Sequence, residues 1–103
     1  MDKIIEELID FKKARGWGKH HTEGELARAL MIEVAELNEL LLWGKKAPQE
    51  RYEEEIADVL IYAINFCIIR KIDPMKAIKE KIEKNAIKYP VDVDNERKYG
   101  WRV

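Results

Sequence analysis

In its 103 residues the chain has one cysteine, three prolines and five glycines. A lone thiol excludes a disulfide framework, and Cys67 sits inside an apolar run, where it reads as a small core residue. No segment alternates apolar and polar residues with period two, which speaks against strands. There is no repeat and no low-complexity segment. Charge of one sign is not in surplus either. Nineteen basic residues against twenty acidic ones leave a net charge of -1, which excludes nucleic-acid binding by bulk phosphate neutralisation. The longest charge-free run, Val59 to Ile69, is 11 residues, well short of the roughly 20 that span a bilayer. Asp2, Lys3, Glu6 and Glu7 interrupt the first turns, so no secretory leader is expected. These absences imply a cytoplasmic protein with no membrane and no nucleic-acid partner.

What remains is a chain that is 47% hydrophobic and 38% charged, a composition that suits helices. One domain over 1–103 is expected, with a core of about 2–90 and a polar tail, 91–103, whose large apolar groups are Tyr99 and Trp101. Ile4, Ile5, Leu8, Ile9 and Phe11 recur at helical spacing from Asp2 to about Arg15, and Gly16 ends that helix. Thr22 and Glu25 form a capping-box pattern that starts a second helix, which runs to about Trp43 before Gly44. Pro48 opens a third, which reaches about Arg70. Asp73-Pro74 reads as a cap followed by a first-turn proline, and the fourth helix ends before Tyr89-Pro90. An all-α fold, a four-helix antiparallel bundle, is the expected architecture.

The acidic residues do not fall where solubility alone would put them. On a wheel of about 100° per residue, Leu26, Leu30, Val34, Leu37 and Leu41 form the core stripe of the second helix. Glu33 lies inside the wider apolar face, Glu36 lies about 60° further round, and Glu39 reads as more exposed. On the third helix, Ile56, Leu60, Ala63, Ile64 and Cys67 make one face, and Glu55, Asp58, Tyr62 and Asn65 share a single polar strip. Each helix thus carries an acidic pair at i, i+3, side by side on one face. If the faces meet, four carboxylates converge, repel one another and raise their own pKa values. A divalent cation with a taste for hard oxygen ligands resolves this, and Mg²⁺ is the obvious choice, with Mn²⁺ an acceptable substitute. The plain alternative is that lysines or arginines from the other helices neutralise them.

The stretches "IEVAELNELLLW", "EEEIADVLIY" and "EKIEKNAIKYPV" resemble the all-α nucleoside triphosphate pyrophosphohydrolases, in particular the MazG-like branch that includes the dCTP pyrophosphatases. The family pattern is E-x-x-E, a spacer, then E-x-x-D. Here Glu33-x-x-Glu36 and Glu55-x-x-Asp58 fit it with 18 residues between them, and Lys81, Asn85, Tyr89 and Pro90 fit the downstream K-x-x-x-N-x-x-x-Y-P. The resemblance spans about residues 15 to 99. It implies Mg²⁺-dependent hydrolysis between the α and β phosphates of a nucleotide, giving a monophosphate and pyrophosphate, with a pyrimidine deoxynucleotide such as dCTP favoured. By the same resemblance Glu33, Glu36, Glu55 and Asp58 hold the metal, and Glu39 orients or deprotonates the water. Lys81 and Lys84 hold phosphate oxygens, Asn85 meets the sugar or a phosphate, and Tyr89 belongs to the same substrate-binding motif. His21, Trp43 and Tyr62 stand at matching distances from the acidic motifs and imply an aromatic base pocket. The bland readings are a hydrophobic helix-end cap for Trp43, a core tyrosine for Tyr62, and solvated faces for Lys79 and Lys88. His20 and His21, with no third ligand nearby, do not make a metal site.

Two other functions fit the same helices: a non-catalytic nucleotide- or metal-binding regulator, and an interaction module whose apolar faces serve assembly alone. Assembly is expected in any case. Met31, Ile32, Leu42, Ile61, Ile68 and Ile69 cannot all point into one small core, and a two-fold interface is the simplest way to cover them. A homodimer, or a dimer of dimers, follows, and members of the resembled family assemble in this way too.

Overall fold

The computed structural model describes residues 2–17, 21–42 and 46–91. Four helices carry them, α1 (Asp2–Ala14), α2 (Glu23–Leu42), α3 (Gln49–Arg70) and α4 (Pro74–Lys88), with no strand among the described residues. The all-α expectation holds, and the helix limits fall within about two residues of those read from caps and breakers. Trp43, His20, Tyr99 and Trp101 lie outside the described residues. The chain divides into two compact units, Met1–Ile72 and Asp73–Val103.

In the first unit, α2 and α3 form an antiparallel pair. Arg70 in the last turn of α3 reaches back to Glu23 in the first turn of α2, Nη1 to Oε1 at 3.2 Å. The capping box is realised in full: the Glu25 N–H donates to Thr22 Oγ1 at 3.1 Å, and the Thr22 N–H donates to Glu25 Oε2 at 3.5 Å. Leu26 is the deepest apolar residue and Ile64 of α3 is also buried. The expected core stripe of α2 is covered only in part, since Leu30 and Leu37 are half-buried while Val34 and Leu41 are exposed. One neighbouring helix covers a narrower line than a surrounding bundle would, so the stripe runs off the packed surface.

Gly16 ends α1 for a conformational reason. Its φ is +65°, the left-handed region that glycine enters at little cost. The Trp17 N–H then donates to the Lys12 carbonyl at 2.9 Å and the Gly16 N–H to the Lys13 carbonyl at 3.1 Å, a Schellman closure. The turn folds Trp17 back, edge-on to Phe11 with ring centroids 5.5 Å apart. The same closure ends α3 with Lys71 at φ 55°, where Ile72 N–H donates to the Cys67 carbonyl at 2.8 Å.

The second unit contains α4. Asp73 caps it as expected, accepting from the N–H groups of Met75 at 3.0 Å and Lys76 at 3.2 Å.

Candidate metal and nucleotide site

The acidic pairs of α2 and α3 meet halfway along the antiparallel pair. Glu33, Glu55 and Asp58 each offer one carboxylate oxygen, and the three oxygens lie within 4.8 Å of one another. Glu33 and Glu55 are half-buried and Asp58 is exposed. Glu33 Oε2 and Glu55 Oε2 are fully buried and meet no hydrogen-bond donor. Leaving such an oxygen unpaired costs about 1–3 kcal/mol, more when the group is charged. The fold therefore spends stability here, and the spending asks for an explanation.

The electrostatics agree. Burial pushes the Glu33 carboxyl from its ordinary 4.5 up to about 7, helped by the hydrogen bond and charge of Glu36 and then by Asp58 and Glu55. Glu55 is raised by burial, then by Glu36 and Asp58, with Arg51 pulling the other way. Glu36 is exposed but sits within hydrogen-bonding reach of both. No lysine or arginine forms an ion pair with any of these four carboxylates among the described residues, where the ion pair that does form is Arg70–Glu23. The alternative of neutralising lysines finds no support.

Three carboxylates without histidine or cysteine are a hard-oxygen set, suited to Mg²⁺, Mn²⁺ or Ca²⁺ rather than to zinc or copper. Their spacing can be spanned by one such ion with oxygen ligands at about 2.0–2.6 Å. The donor set and the two orphaned oxygens fit a divalent cation.

Beside Asp58, between α1 and α3, lies an open cavity of about 490 Å³. Its walls are apolar (Ile4, Leu8, Phe11, Ile61 and Ile64), with Glu7, Lys12, Trp17, His21, Tyr62 and Asn65 adding polar or aromatic groups. The volume suits a small ligand.

Of the residues singled out from sequence, Glu33, Glu36, Glu55 and Asp58 come together, and His21 and Tyr62 line the adjoining cavity. Glu39 is exposed one turn beyond Glu36 and does not join the converging carboxylates. Trp43 lies outside the described residues. Lys81 and Asn85 stand one turn apart and share a face of α4; Tyr89 follows the last helical residue, and Asn85 and Tyr89 line a small hollow there with Ile82 and Ala86. The sequence reading missed Phe11, Lys12 and Trp17. The signal for Trp17 was present, an aromatic directly after a helix-ending glycine, where a Schellman turn folds it back onto the helix.

The sequence pattern of the MazG-like family matches residues 23–101. The chain belongs to the MazG-like family. It is similar to dCTP pyrophosphatase 1 of Rattus norvegicus, 35% identical over 92 residues that cover 80% of this chain and 54% of that protein. It is likewise similar to dCTP pyrophosphatase 1 of Homo sapiens, 34% identical over 102 residues, 87% of this chain and 60% of that protein. This MazG-like chain thus spans a little over half the length of the curated relatives it matches. A crystal structure of a pyrophosphatase from Archaeoglobus fulgidus matches with a TM-score of 0.78 and 42% identity, covering 88% of this chain and 93% of that one. Both E-x-x-E and E-x-x-D of this MazG-like chain lie inside the matched segment.

Proposed function

We propose that the protein is a Mg²⁺-dependent nucleoside triphosphate pyrophosphohydrolase that cleaves between the α and β phosphates and releases a nucleoside monophosphate and pyrophosphate. The observation that carries this reading is the pair of buried, donorless oxygens on Glu33 and Glu55 within reach of Asp58, beside a cavity sized for a nucleoside. When bound, the divalent ion supplies positive charge that neutralises the triphosphate and activates a water for in-line attack. Glu33, Glu55 and Asp58 would hold it, with the Glu36 carboxylate beside them. The α1–α3 cavity would receive the base, with Tyr62, His21 and the Phe11–Trp17 pair offering faces for stacking. Glu39 is exposed and stands outside the cluster, so no role in holding the ion is assigned to it.

By its likeness to proteins named for dCTP, we assign a pyrimidine deoxynucleoside triphosphate as the substrate class and removal of unwanted nucleotides as the role. We also assign a homodimer or dimer of dimers in the cytoplasm. Met31 (66% exposed), Leu41 (63%), Ile32 and Leu42 crowd the exposed side of α2, and an apolar face of that kind calls for a partner. None of the helices is long and apolar enough to cross a membrane among the described residues.

Pyrophosphate release from a panel of nucleoside triphosphates, with Mg²⁺ and with chelator, tests the activity. Turnover should require the metal and vanish in Asp58→Asn with the helical circular dichroism unchanged. Full turnover in chelator, or in Asp58→Asn, would overturn the reading. Light scattering tests the assembly; a stable, active species near 12 kDa would remove it.

A further inference from the structure

The inner side of α1 ends on an unexpected residue. Ile5, Leu8, Ile9 and Lys12 recur at i, i+3, i+4 and i+7 and are the half-buried residues of that helix. Three are aliphatic; the fourth is a lysine, where the stripe calls for another apolar group. Its Nζ donates to Oδ1 of Asn65 on α3 at 3.1 Å, and Asn65, 6% exposed, is the buried polar residue among those described. A lysine at the edge of a helix face ordinarily lays its stem on apolar surface and keeps its head in water. Here the head turns inward and meets a buried amide. Two apolar groups of similar shape would hold the helices together about as well, so stability does not account for the pair.

What a polar pair adds is register. Apolar surfaces can slide past one another, and cores lose their unique arrangement before they lose stability. Much of the apolar surface of α1 is unpacked: Ile4 and Phe11 are exposed, and so is Trp17 just beyond the helix. A hydrogen bond tolerates little displacement, and a single polar pair in an apolar interface fixes how two helices align. Lys12 is tied to the aromatic end of the cavity as well. Its carbonyl accepts the Trp17 N–H at 2.9 Å, Phe11 is its chain neighbour, and the Phe11 and Trp17 rings meet edge-on. On the other side, Asn65 follows Asp58 and Tyr62 along one strip of α3, two turns or roughly 10 Å from Asp58. All six of these residues line the cavity. The path from Trp17 to Asp58 thus runs through helix backbone and one side-chain hydrogen bond.

We propose that the Lys12–Asn65 hydrogen bond sets the register of α1 on α3 and so holds Phe11 and Trp17 at the distance from Asp58 that a nucleotide bridges. The inference rests on the reading of this cavity as the nucleoside end of a pyrophosphohydrolase site. Lys12 and Asn65 are positioning residues: they act on the substrate through the aromatic rings, and a misplaced ring weakens the grip on the base without touching the phosphate end.

The test separates register from stability. Lys12→Met/Asn65→Leu replaces the pair by apolar groups and should melt at or above the wild-type temperature. In the Mg²⁺-loaded protein its KM for dCTP should nonetheless rise about tenfold, on the scale of one lost stacking contact. The inhibition constant of inorganic tripolyphosphate, which has no base, should stay unchanged. Calorimetric titration with dCMP should show the same loss without turnover. Lys12→Arg keeps a donor for Asn65 and should keep the wild-type values. A folded double variant with wild-type KM and dCMP affinity overturns the proposal, and so does a loss that tripolyphosphate shares equally. Should the double variant not fold, Lys12→Met and Lys12→Arg are compared below the melting point of both; equal dCMP affinities overturn the proposal, and a loss in Lys12→Met alone upholds it. No pyrophosphate release from the wild type, but dCMP binding that the double variant weakens, sinks the hydrolase reading and upholds the positioning. Release with a KM that no variant moves does the reverse. Neither release nor dCMP binding sinks both.

Discussion

Two stretches of α3 treat buried polar groups in opposite ways. At Asn65 the buried amide is met by Lys12 across a 3.1 Å hydrogen bond, and the local polarity is satisfied within the fold. Two to three turns earlier, Glu55 and its neighbour Glu33 on α2 each bury an oxygen with no donor, and burial, with the neighbouring carboxylates adding to it, lifts the Glu33 pKa to about 7. Both places are polar groups in apolar surroundings. The first is complete as it stands; the second is completed only by something from outside. A buried polar group that the chain leaves unsatisfied is the stronger pointer to a ligand, because selection for stability alone would remove it.

That contrast can be broken most directly at Asp58. Asp58→Asn should lower metal-dependent pyrophosphate release by about a hundredfold or more, the scale on which a single lost electrostatic partner acts in catalysis. It should leave the melting temperature of the metal-free protein unchanged or higher, because a source of repulsion is gone. A variant that loses both activity and fold would instead put Asp58 with Asn65, among the satisfied structural groups.

The pH dependence of stability sharpens the same point. Glu33 has its folded pKa raised from 4.5 to about 7, and Glu55 shifts in the same direction. Between those values the folded chain holds more protons than the unfolded chain, so stability is greatest below about pH 4.5 for these groups and declines as pH rises towards 7. Without metal the melting temperature should fall across this range by roughly 5 °C or more, with the partial exposure of the site discounted. Millimolar-order Mg²⁺ or Mn²⁺ should flatten the decline by binding the ionised form, and Glu33→Gln should flatten it without metal. Thermal melts at a series of pH values, with and without the ion, check each statement.

At the satisfied end, Lys12→Met should destabilise the protein by about 1–3 kcal/mol in urea unfolding, since it strands the buried Asn65 carbonyl. A change below about 0.5 kcal/mol would mean that water serves Asn65 as well as lysine does. The smallest effect is expected at Lys71, which holds a left-handed φ of 55° at the end of α3. Lys71→Gly should stabilise by about 0.5–1 kcal/mol, less the flexibility that glycine adds to the unfolded chain. Equal or lower stability would show that the flexibility term wins.

Local chemistry was legible from the residues alone. The Thr22–Glu25 capping box, the Asp73-Pro74 start and the Gly16 stop act over three or four residues, so their spacing in the sequence contains the whole interaction. The i, i+3 acidic pairs were legible for the same reason, since a helix fixes which side chains share a face. Tertiary structure decided what those faces meet. That Glu33 converges with Glu55 and Asp58 while Glu39 stays exposed depends on how α2 is rotated against α3. That Lys12 closes on Asn65, 53 positions away in sequence, depends on where α1 comes to rest. Such pairings are set by the packing of whole apolar surfaces, which many registers of the same stripes could satisfy. The sequence determined the helices and the presence of an acidic face; only the packing could decide which charges would be left facing one another without a counter-charge.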